Sequence, residues 1–300
     1  MYDREEDANG DSIIRVRGTS QKENHAFIVI ANHFYKKGLS VPQILSVSAD
    51  EMCYTQTDLG DTLLFDYIAS GRTTGVFSND EKAMLEQTLR ALAHIQIEGA
   101  EGMDWSVCYP VPAFDHRSAM WDLNYFKYDY LKLTGLEIDE PALENEFEHL
   151  ARTLMQVPKE AFMYRDCQSR NVMIKDGKPY FIDFQGGRKG PIYYDLASFL
   201  WQAKANYPQA LREELLDAYR DEMTKIGYPL PNRTIFRQTL NVFVLFRMLQ
   251  VLGAYGFRGL FERKQHFIES IPFARQNLRE LFAADEALQM TYPYISSVVC

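Results

Sequence analysis

Residues 164–171, YRDCQSRN, decide how this chain is interpreted. They place Asp166 and Asn171 five positions apart, in a loop between two short apolar runs. Twelve residues further on, Asp183 follows a second apolar run, in the segment FIDF. Phosphoryl transfer needs such groups. One carboxylate orients the attacking hydroxyl, while a second carboxylate and an amide oxygen hold Mg²⁺ against the nucleotide phosphates.

These segments resemble the H-R-D-x-x-x-x-N and D-F-G elements of the protein-kinase superfamily. Residues 190–197, GPIYYDLA, are similar to a segment of the aminoglycoside phosphotransferase and choline kinase branch. Within that branch, RDxxxRNVM together with DLGD at 58–61 resembles the bacterial anomeric kinases of N-acetylmuramate and N-acetylglucosamine. The resemblance runs from about residue 12 to about residue 290.

The resemblance implies an α+β, protein-kinase-like fold with two lobes. Residues 1–60 are expected to form a small α/β lobe that binds the nucleotide. Residues 61–300 are expected to form a larger, mostly helical lobe with the catalytic and acceptor-binding groups. ATP and Mg²⁺ are the implied cofactors.

The resemblance also implies roles for individual residues. Asp166 is expected to be the catalytic base, and Asn171 and Asp183 the Mg²⁺ ligands. Asp195 is expected to brace the catalytic loop. The backbone of Asp58, Leu59 and Gly60 is expected to read the adenine edge, as the hinge between the lobes does.

Several charged residues have two interpretations. Glu23, early in the first helix, is a candidate partner for Arg15 or Arg17 in nucleotide binding. The alternative is a carboxylate that stabilises the helix start. Arg170, with Arg165, is a candidate to assist catalysis at the phosphates, and the alternative is pairing with acids in the loop.

The chain departs from the kinase pattern at its beginning. Tyr164 stands where the motif has His, and Gln185 stands where D-F-G has Gly. The first predicted strand, at 12–17, follows only about eleven polar residues that contain no G-x-G-x-x-G loop. Either the chain is truncated or it binds nucleotide with an incomplete phosphate lid.

A predicted helix at 114–133 supplies candidate acceptor-binding residues: Arg117, Trp121, Asp122 and Asn124. Sugars suit such surfaces, because an aromatic face meets the C–H face of the ring while carboxylate and amide groups hold hydroxyls. The alternative is a core helix with Trp121 packed inside.

Bulk composition excludes some classes of protein. Apolar residues make up 46% of the chain, and the net charge of −9 argues against non-specific binding of nucleic acid or an anionic membrane. The four cysteines form no C-x-x-C pair and have no zinc spacing, which is typical of a reduced, cytoplasmic setting. The N-terminus lacks the apolar stretch of a signal peptide.

Three functions are compatible with the pattern. The first is an ATP- and Mg²⁺-dependent kinase that phosphorylates a hydroxyl of a small polar molecule, with an amino sugar at its anomeric carbon as the expected acceptor. The second is a pseudokinase that senses a nucleotide or metabolite. The third is an aminoglycoside- or choline-type kinase.

Overall fold

A computed structural model describes all 300 residues, and its mixture of strands and helices confirms the α+β class. Contacts between Cα atoms divide the chain into two compact units. The first unit comprises Met1–Ala113, Lys159–Asp195 and Tyr207–Leu230, and the second comprises Phe114–Pro158, Leu196–Asn206 and Pro231–Cys300. The predicted boundary at residue 60 falls inside the first unit, so the division into two lobes there stays a prediction.

A four-stranded antiparallel sheet opens the first unit, in the order β1-β2-β4-β3. Its strands are Tyr2–Glu6 (β1), Ser12–Arg17 (β2), Ile44–Val47 (β3) and Cys53–Thr57 (β4). Successive side chains of a strand point to opposite faces. In the register of β2 with β4, Ile14 pairs with Gln56 and Val16 pairs with Tyr54.

The helix Gln21–Lys36 (α1) follows β2 and begins where Ser20 caps the backbone N–H of Glu23. Phe27, Ile30 and Phe34 recur at helical spacing and are buried. Two further helices of this unit, Asn79–Ile97 (α4) and Gln209–Lys225 (α8), pack against each other.

Two small two-stranded sheets border the loops that contain the candidate catalytic residues. Ala161–Met163 (β5) pairs with Arg188–Gly190 (β8), and Val172–Lys175 (β6) pairs with Lys178–Phe181 (β7). The short helices Leu64–Tyr67 (α2) and Ala69–Thr74 (α3) precede α4, and Tyr193–Leu200 (α7) follows β8.

The second unit is helical. Its helices are His116–Asp129 (α5), Glu140–Leu154 (α6), Arg233–Tyr255 (α9), Gln265–Ile268 (α10), Ile271–Ala284 (α11), Glu286–Thr291 (α12) and Pro293–Val299 (α13). A π-helical segment, Gly256–Phe261, continues α9. The combined stretch Arg233–Phe261 is long and apolar enough to cross a membrane by length and composition, and 67% of its most apolar window is buried within the protein.

Three predictions about secondary structure were wrong. Strand β1 lies in the stretch expected to precede the first strand, so two strands joined by a turn do precede α1. The sequence pattern also predicts one helix over roughly 260–283 and an irregular tail at 291–300. The structure instead divides the first stretch between α10 and α11, and forms α13 in the second.

Candidate active site

The three residues of the predicted catalytic constellation lie together in the first unit. Asp166 and Asn171 are in the loop between β5 and β6, and Asp183 follows β7. The Asn171 amide nitrogen donates to the backbone carbonyl of Asp166 at 2.9 Å and lies 3.4 Å from Oδ2 of Asp183. The structure therefore joins two separate sequence motifs in one polar cluster.

Asp195 fastens the catalytic loop from its buried side. Its side chain is fully buried, and its two oxygens accept hydrogen bonds from the backbone N–H groups of Tyr164 and Arg165, both at 2.9 Å. Oδ2 also accepts from the amide of Gln96 on α4 at 2.9 Å. The Tyr219 hydroxyl on α8 donates to Gln96 in turn, at 2.5 Å. The loop is thus tied to two packed helices.

Tyr164 links the two catalytic segments. Its hydroxyl donates to the backbone carbonyl of Ile182, directly before Asp183, and lies 3.3 Å from the carbonyl of Asn171. Burial, reinforced by nearby acidic groups, raises the pKa of Tyr164 well above its ordinary value, so the phenol remains a donor. The departure from His at this position therefore leaves a hydrogen-bond donor in the loop.

The backbone at the site is strained at two non-glycine residues. Arg165 has φ of 79° and Asp183 has φ of 65°, both in the left-handed region. Such conformations cost free energy and persist only where the surroundings enforce them. At Arg165 the bond to Asp195 supplies one such constraint.

A column of aromatic rings supports the loop that holds Asp183. Phe27 on α1 stacks on Phe184 with centroids 4.7 Å apart and on Tyr54 of β4 at 5.5 Å. Phe184 also meets Tyr164 edge-on at 6.2 Å. Helix α1 and the sheet therefore help to set the position of Asp183.

The charge around Asp183 suits a divalent cation. Its carboxylate opens to a cavity but is surrounded by protein on its other sides, and this desolvation raises its pKa. The neighbouring Asp166 raises that pKa further, while a 2.9 Å hydrogen bond from Gln185 opposes the shift. No group of three or more His, Cys, Asp or Glu side chains is arranged to hold a metal ion. One carboxylate and one amide oxygen nevertheless suffice for Mg²⁺, which takes its other ligands from water and substrate phosphates.

The cavity above Asp183 has a volume of about 610 Å³. The predicted hinge residues Asp58, Leu59 and Gly60 line one part of it, and Asn171 and Asp183 line another. Ile14 and Val16 of β2 and Met173 and Ile182 also line it. The structure thus brings the predicted hinge, several apolar side chains and two residues of the predicted catalytic constellation to one cavity.

Arg15 is not among the residues that line this cavity, and its role in nucleotide binding stays a prediction. Because successive side chains of β2 point to opposite faces of the sheet, Ile14 and Val16 line the cavity while Arg15 between them does not. Arg15 instead forms a 2.8 Å ion pair with Glu5 of β1. Glu23 does line the cavity, but it forms no pair with Arg15 or with Arg17.

The N-terminal hairpin covers the cavity differently from the expected phosphate lid. Tyr2 and Arg4 of β1 line the cavity, but the turn that joins β1 to β2 borders a separate depression beside the hinge. Arg4 forms ion pairs with Asp58 at 2.7 Å and with Asp61 at 2.8 Å. The hairpin is therefore held by ion pairs to the segment 58–61, while Met1 and Tyr2 line the same cavity as Asp183.

Arg170 lies at the surface of the catalytic loop. Its guanidinium sits 4.0 Å from the ring centroid of Phe65, and the guanidinium of Arg72 lies 3.4 Å from the same centroid. Arg165 lies 5.6 Å from the ring of Tyr194. Arg170 is not among the residues that line the main cavity.

The predicted acceptor residues are on α5, in the second unit. Asp122 is buried, whereas Trp121 is 49% exposed, so Trp121 is not the core residue of the alternative interpretation. The Arg117 guanidinium lies 5.9 Å from the Trp121 ring centroid. Asn124 is partly exposed.

Sequence reasoning missed Gln96, which connects Asp195 to α8. Gln96 is fully buried next to Ile95, on the inward face of α4. A polar residue on an apolar helical face was the available signal, because buried amides require hydrogen-bond partners.

Comparisons with known proteins agree with this geometry. A model of the phosphotransferase enzyme family matches residues 1–229. The N-acetylmuramate/N-acetylglucosamine kinase of Pseudomonas aeruginosa is 25% identical over 79% of this chain and 67% of its own length. The kinase of the same name from Neisseria meningitidis serogroup B is 27% identical over 64% of this chain and 55% of its own length. The chain therefore matches only part of each relative.

Solved structures share the fold at low sequence identity. An amicoumacin kinase in complex with AMP-PNP and Ca²⁺ has a TM-score of 0.61, with 12% identity, and the match covers 91% of this chain and 84% of that one. Choline kinase from Cryptosporidium parvum has a TM-score of 0.59, with 11% identity over 96% of this chain and 86% of that one. An aminoglycoside phosphotransferase with bound ADP has a TM-score of 0.57, with 12% identity over 90% and 88%. These likenesses confirm the protein-kinase-like fold.

Proposed function

Because the chain belongs to the phosphotransferase enzyme family, we propose that it transfers the γ-phosphoryl group of ATP to the anomeric hydroxyl of an amino sugar. The family match and the kinases among its relatives confirm the coarser prediction, a small-molecule kinase. The observation that carries the proposal is that Asn171 and Asp183 line one cavity and lie together, with the Asn171 amide bonded to the backbone of Asp166.

The cavity offers the surfaces that a nucleotide requires. The lining residues Ile14, Val16, Met173 and Ile182 are apolar and suit a flat purine. The backbone of residues 58–60, which line the same cavity, would read the edge of the base, as the resemblance implies. Asn171 and Asp183 then lie toward the phosphates.

Asn171 and Asp183 would hold Mg²⁺ through one amide oxygen and one carboxylate. When bound, the ion supplies charge neutralisation for the transferring phosphoryl group. The desolvated Asp183 carboxylate, next to Asp166, is suited to a cation because a positive charge there offsets both burial and like-charge repulsion.

Asp166 would act on the acceptor. Its carboxylate orients the acceptor hydroxyl and takes its proton as the hydroxyl oxygen bonds to the γ-phosphorus. The bond from that phosphorus to the β,γ-bridging oxygen breaks, and ADP leaves with the electron pair. Asp195 positions this loop through the backbone of Tyr164 and Arg165, and Arg170 is proposed to add positive charge at the phosphates.

The amino-sugar acceptor is proposed from the two relatives named above, which are N-acetylmuramate/N-acetylglucosamine kinases. On this chain, the partly exposed Trp121 with Arg117 and Asn124 offers an aromatic and polar surface of the kind that binds sugars. Asp122 is a further candidate for a contact to an acceptor hydroxyl. Partners are accordingly a nucleotide and a small-molecule acceptor, and we propose a cytoplasmic location.

The test is Mg·ATP turnover over a panel of amino sugars, neutral sugars, choline and an aminoglycoside. Asp166→Asn should reduce turnover by about 10²-fold or more, because it removes the proton acceptor. Asp221→Asn, an equal charge change at an exposed position of α8, should leave turnover unchanged. Turnover of no sugar above the Asp166→Asn level would defeat the amino-sugar assignment.

One observation favours a second candidate, a nucleotide sensor without turnover. Arg15, in the middle of β2, is paired with Glu5 and does not line the cavity, and of the two arginines of β2 only Arg17, at the end of the strand, lines it. No basic side chain from the middle of β2 is therefore placed to contact phosphates. Thermal-shift titration with Mg·ATP beside the turnover assay separates the two functions, since binding without any turnover favours the sensor.

A further inference from the structure

Two arginines share one aromatic ring beside the catalytic loop. The guanidinium carbon of Arg72 lies 3.4 Å from the Phe65 ring centroid, and that of Arg170 lies 4.0 Å from it. Nε of Arg72 also donates to the backbone carbonyl of Phe65 at 2.9 Å. Guanidinium groups are attracted to the face of an aromatic ring, so Phe65 fixes where both positive charges stand.

The charge of Arg170 is not compensated within the protein. Arg170 is exposed, and no carboxylate forms an ion pair with it. Burial, followed by the charge of Arg170, lowers the pKa of Arg72, which indicates that the two like charges are close. Asp66 on α2 opposes that shift in the pKa of Arg72, but it forms no ion pair with Arg170. An anion bound at Arg170 would offset the repulsion between the two guanidiniums.

The position of Arg170 in the catalytic loop connects this charge with the acceptor. Arg170 belongs to the short 3₁₀ helix Ser169–Asn171, and the Asn171 amide donates to the backbone carbonyl of Asp166. Asn171 lines the cavity proposed for the nucleotide, whereas Arg170 does not. Arg170 is thus outside that cavity, but in the same loop as the carboxylate that would orient the acceptor hydroxyl.

We propose that Arg170, with Arg72 beside it, binds a carboxylate on the acceptor and makes the enzyme selective for an acidic amino sugar. N-acetylmuramate has this chemistry, since it is N-acetylglucosamine with a lactyl ether that ends in a carboxylate. A guanidinium binds a carboxylate through two parallel hydrogen bonds, and stacking on Phe65 preorganises Arg170 for them. The inference rests on the proposed function and names the class of its acceptor.

The test measures kcat/KM for N-acetylmuramate and for N-acetylglucosamine at saturating Mg·ATP. Calorimetry with Mg·AMP-PNP present gives the dissociation constants of both sugars. In Arg170→Gln the ratio of kcat/KM for the acidic sugar to that for the neutral sugar should fall about tenfold, the worth of a hydrogen bond to a charged group. Any effect of Arg170 on the phosphates is common to both sugars and cancels in this ratio.

Two further variants complete the comparison. Arg170→Lys keeps the positive charge but loses the planar pair of donors, so it should recover part of the ratio. Arg152→Gln makes the same change at an exposed position of α6 and should behave as the unaltered chain.

An unchanged ratio in Arg170→Gln overturns the inference and leaves the proposed function standing. If both sugars lose kcat/KM equally, Arg170 acts on the transferring phosphoryl group, whose oxygens have the same charge as a carboxylate. If the unaltered chain turns over neither sugar, the proposed function fails and the dissociation constants alone decide. Tighter binding of N-acetylmuramate that is lost in Arg170→Gln would then support the inference, and equal binding or no binding of the two sugars would remove it.

Discussion

The Asp195 carboxylate accepts a 2.9 Å hydrogen bond from the backbone N–H of Arg165, thirty residues earlier in the sequence. Arg165 lies in the left-handed region and directly precedes Asp166. The bond therefore stabilises a strained conformation at the residue that sets the direction of the proposed base.

Replacing Asp195 by Asn should both destabilise the protein and lower turnover. The new amide can offer only one oxygen to three donors, those of Tyr164, Arg165 and Gln96. The free energy of unfolding should fall by about 2–4 kcal/mol, the usual cost of breaking a buried charged network. Urea unfolding and kcat measure the two effects. Equal stability and kcat in the variant and in Asp221→Asn would show that Asp195 does not position the loop.

Tyr164→Phe tests the link between the two catalytic segments. The substitution removes one hydroxyl and leaves the carbonyls of Ile182 and Asn171 without that donor. We expect a loss of about 1–2 kcal/mol in the free energy of unfolding and a lower kcat, because the segment before Asp183 is loosened. Tyr35→Phe, at a position 45% exposed, is the matched control. A variant that lost stability but kept full kcat would assign Tyr164 a purely structural role.

Glu222 on α8 should make stability depend on pH under acidic conditions. Burial opposes its charged form, but hydrogen bonds from Lys225, His94 and Arg90 outweigh burial and lower its pKa from 4.5 to about 2. A lowered pKa stabilises the folded state above pH 4.5, and this contribution is lost as pH falls from 4.5 toward 2.

Glu222→Gln should accordingly lower the free energy of unfolding by about 2–3 kcal/mol at pH 7. The difference from the unaltered chain should shrink steadily below pH 4.5. Denaturant titrations between pH 3 and 7 measure it. Glu214→Gln, also on α8, removes an exposed ion pair with Lys82 of α4 and should cost less than about 1 kcal/mol. A constant difference across this pH range would contradict the assignment.

Gly256→Ala should disrupt the contact between α9 and α5. A Cβ at Gly256 would come within 1.9 Å of the Asp129 carbonyl oxygen, a backbone atom that cannot move without shifting the helix. The strain should exceed the roughly 1 kcal/mol that alanine gains in helices and cost about 3 kcal/mol overall. Thermal unfolding measures the effect. Gly186→Ala, which meets nothing within 4 Å, is the comparison, and equal melting temperatures for the two variants would refute the close approach.

That Asp166, Asn171 and Asp183 lie together was predictable because the groups that phosphoryl transfer needs are few in kind and fixed in order along the chain, and their catalytic roles stay predictions. The orientation of Arg15 was predictable in principle, since the alternation of Ile14, Arg15 and Val16 assigns opposite faces. Whether the aliphatic or the charged face meets the cavity depends on tertiary packing. In the structure Ile14 and Val16 line the cavity and Arg15 does not, although Arg17 at the end of the strand also lines it.

Strand β1 was not predicted because its sequence, YDREE, lacks the alternation of apolar and polar residues that marks a half-buried strand. Cross-strand ion pairs with β2 contribute instead, as between Glu5 and Arg15. Helix α13 was missed for a related reason. The carboxylate of Glu146 on α6 accepts from the backbone N–H groups of Tyr294 and Ile295, both at 2.8 Å. A cap supplied from so far along the chain leaves no local signal.

The loop that contains Asp166 is held from the protein interior, and this has an evolutionary consequence. Asp195, Gln96 and Tyr219 form a chain of hydrogen bonds that is entirely interior. Solvent-facing residues around Asp166 can therefore change during evolution without breaking the hydrogen bonds that hold its loop. A scaffold of this kind can acquire new acceptors by surface changes alone.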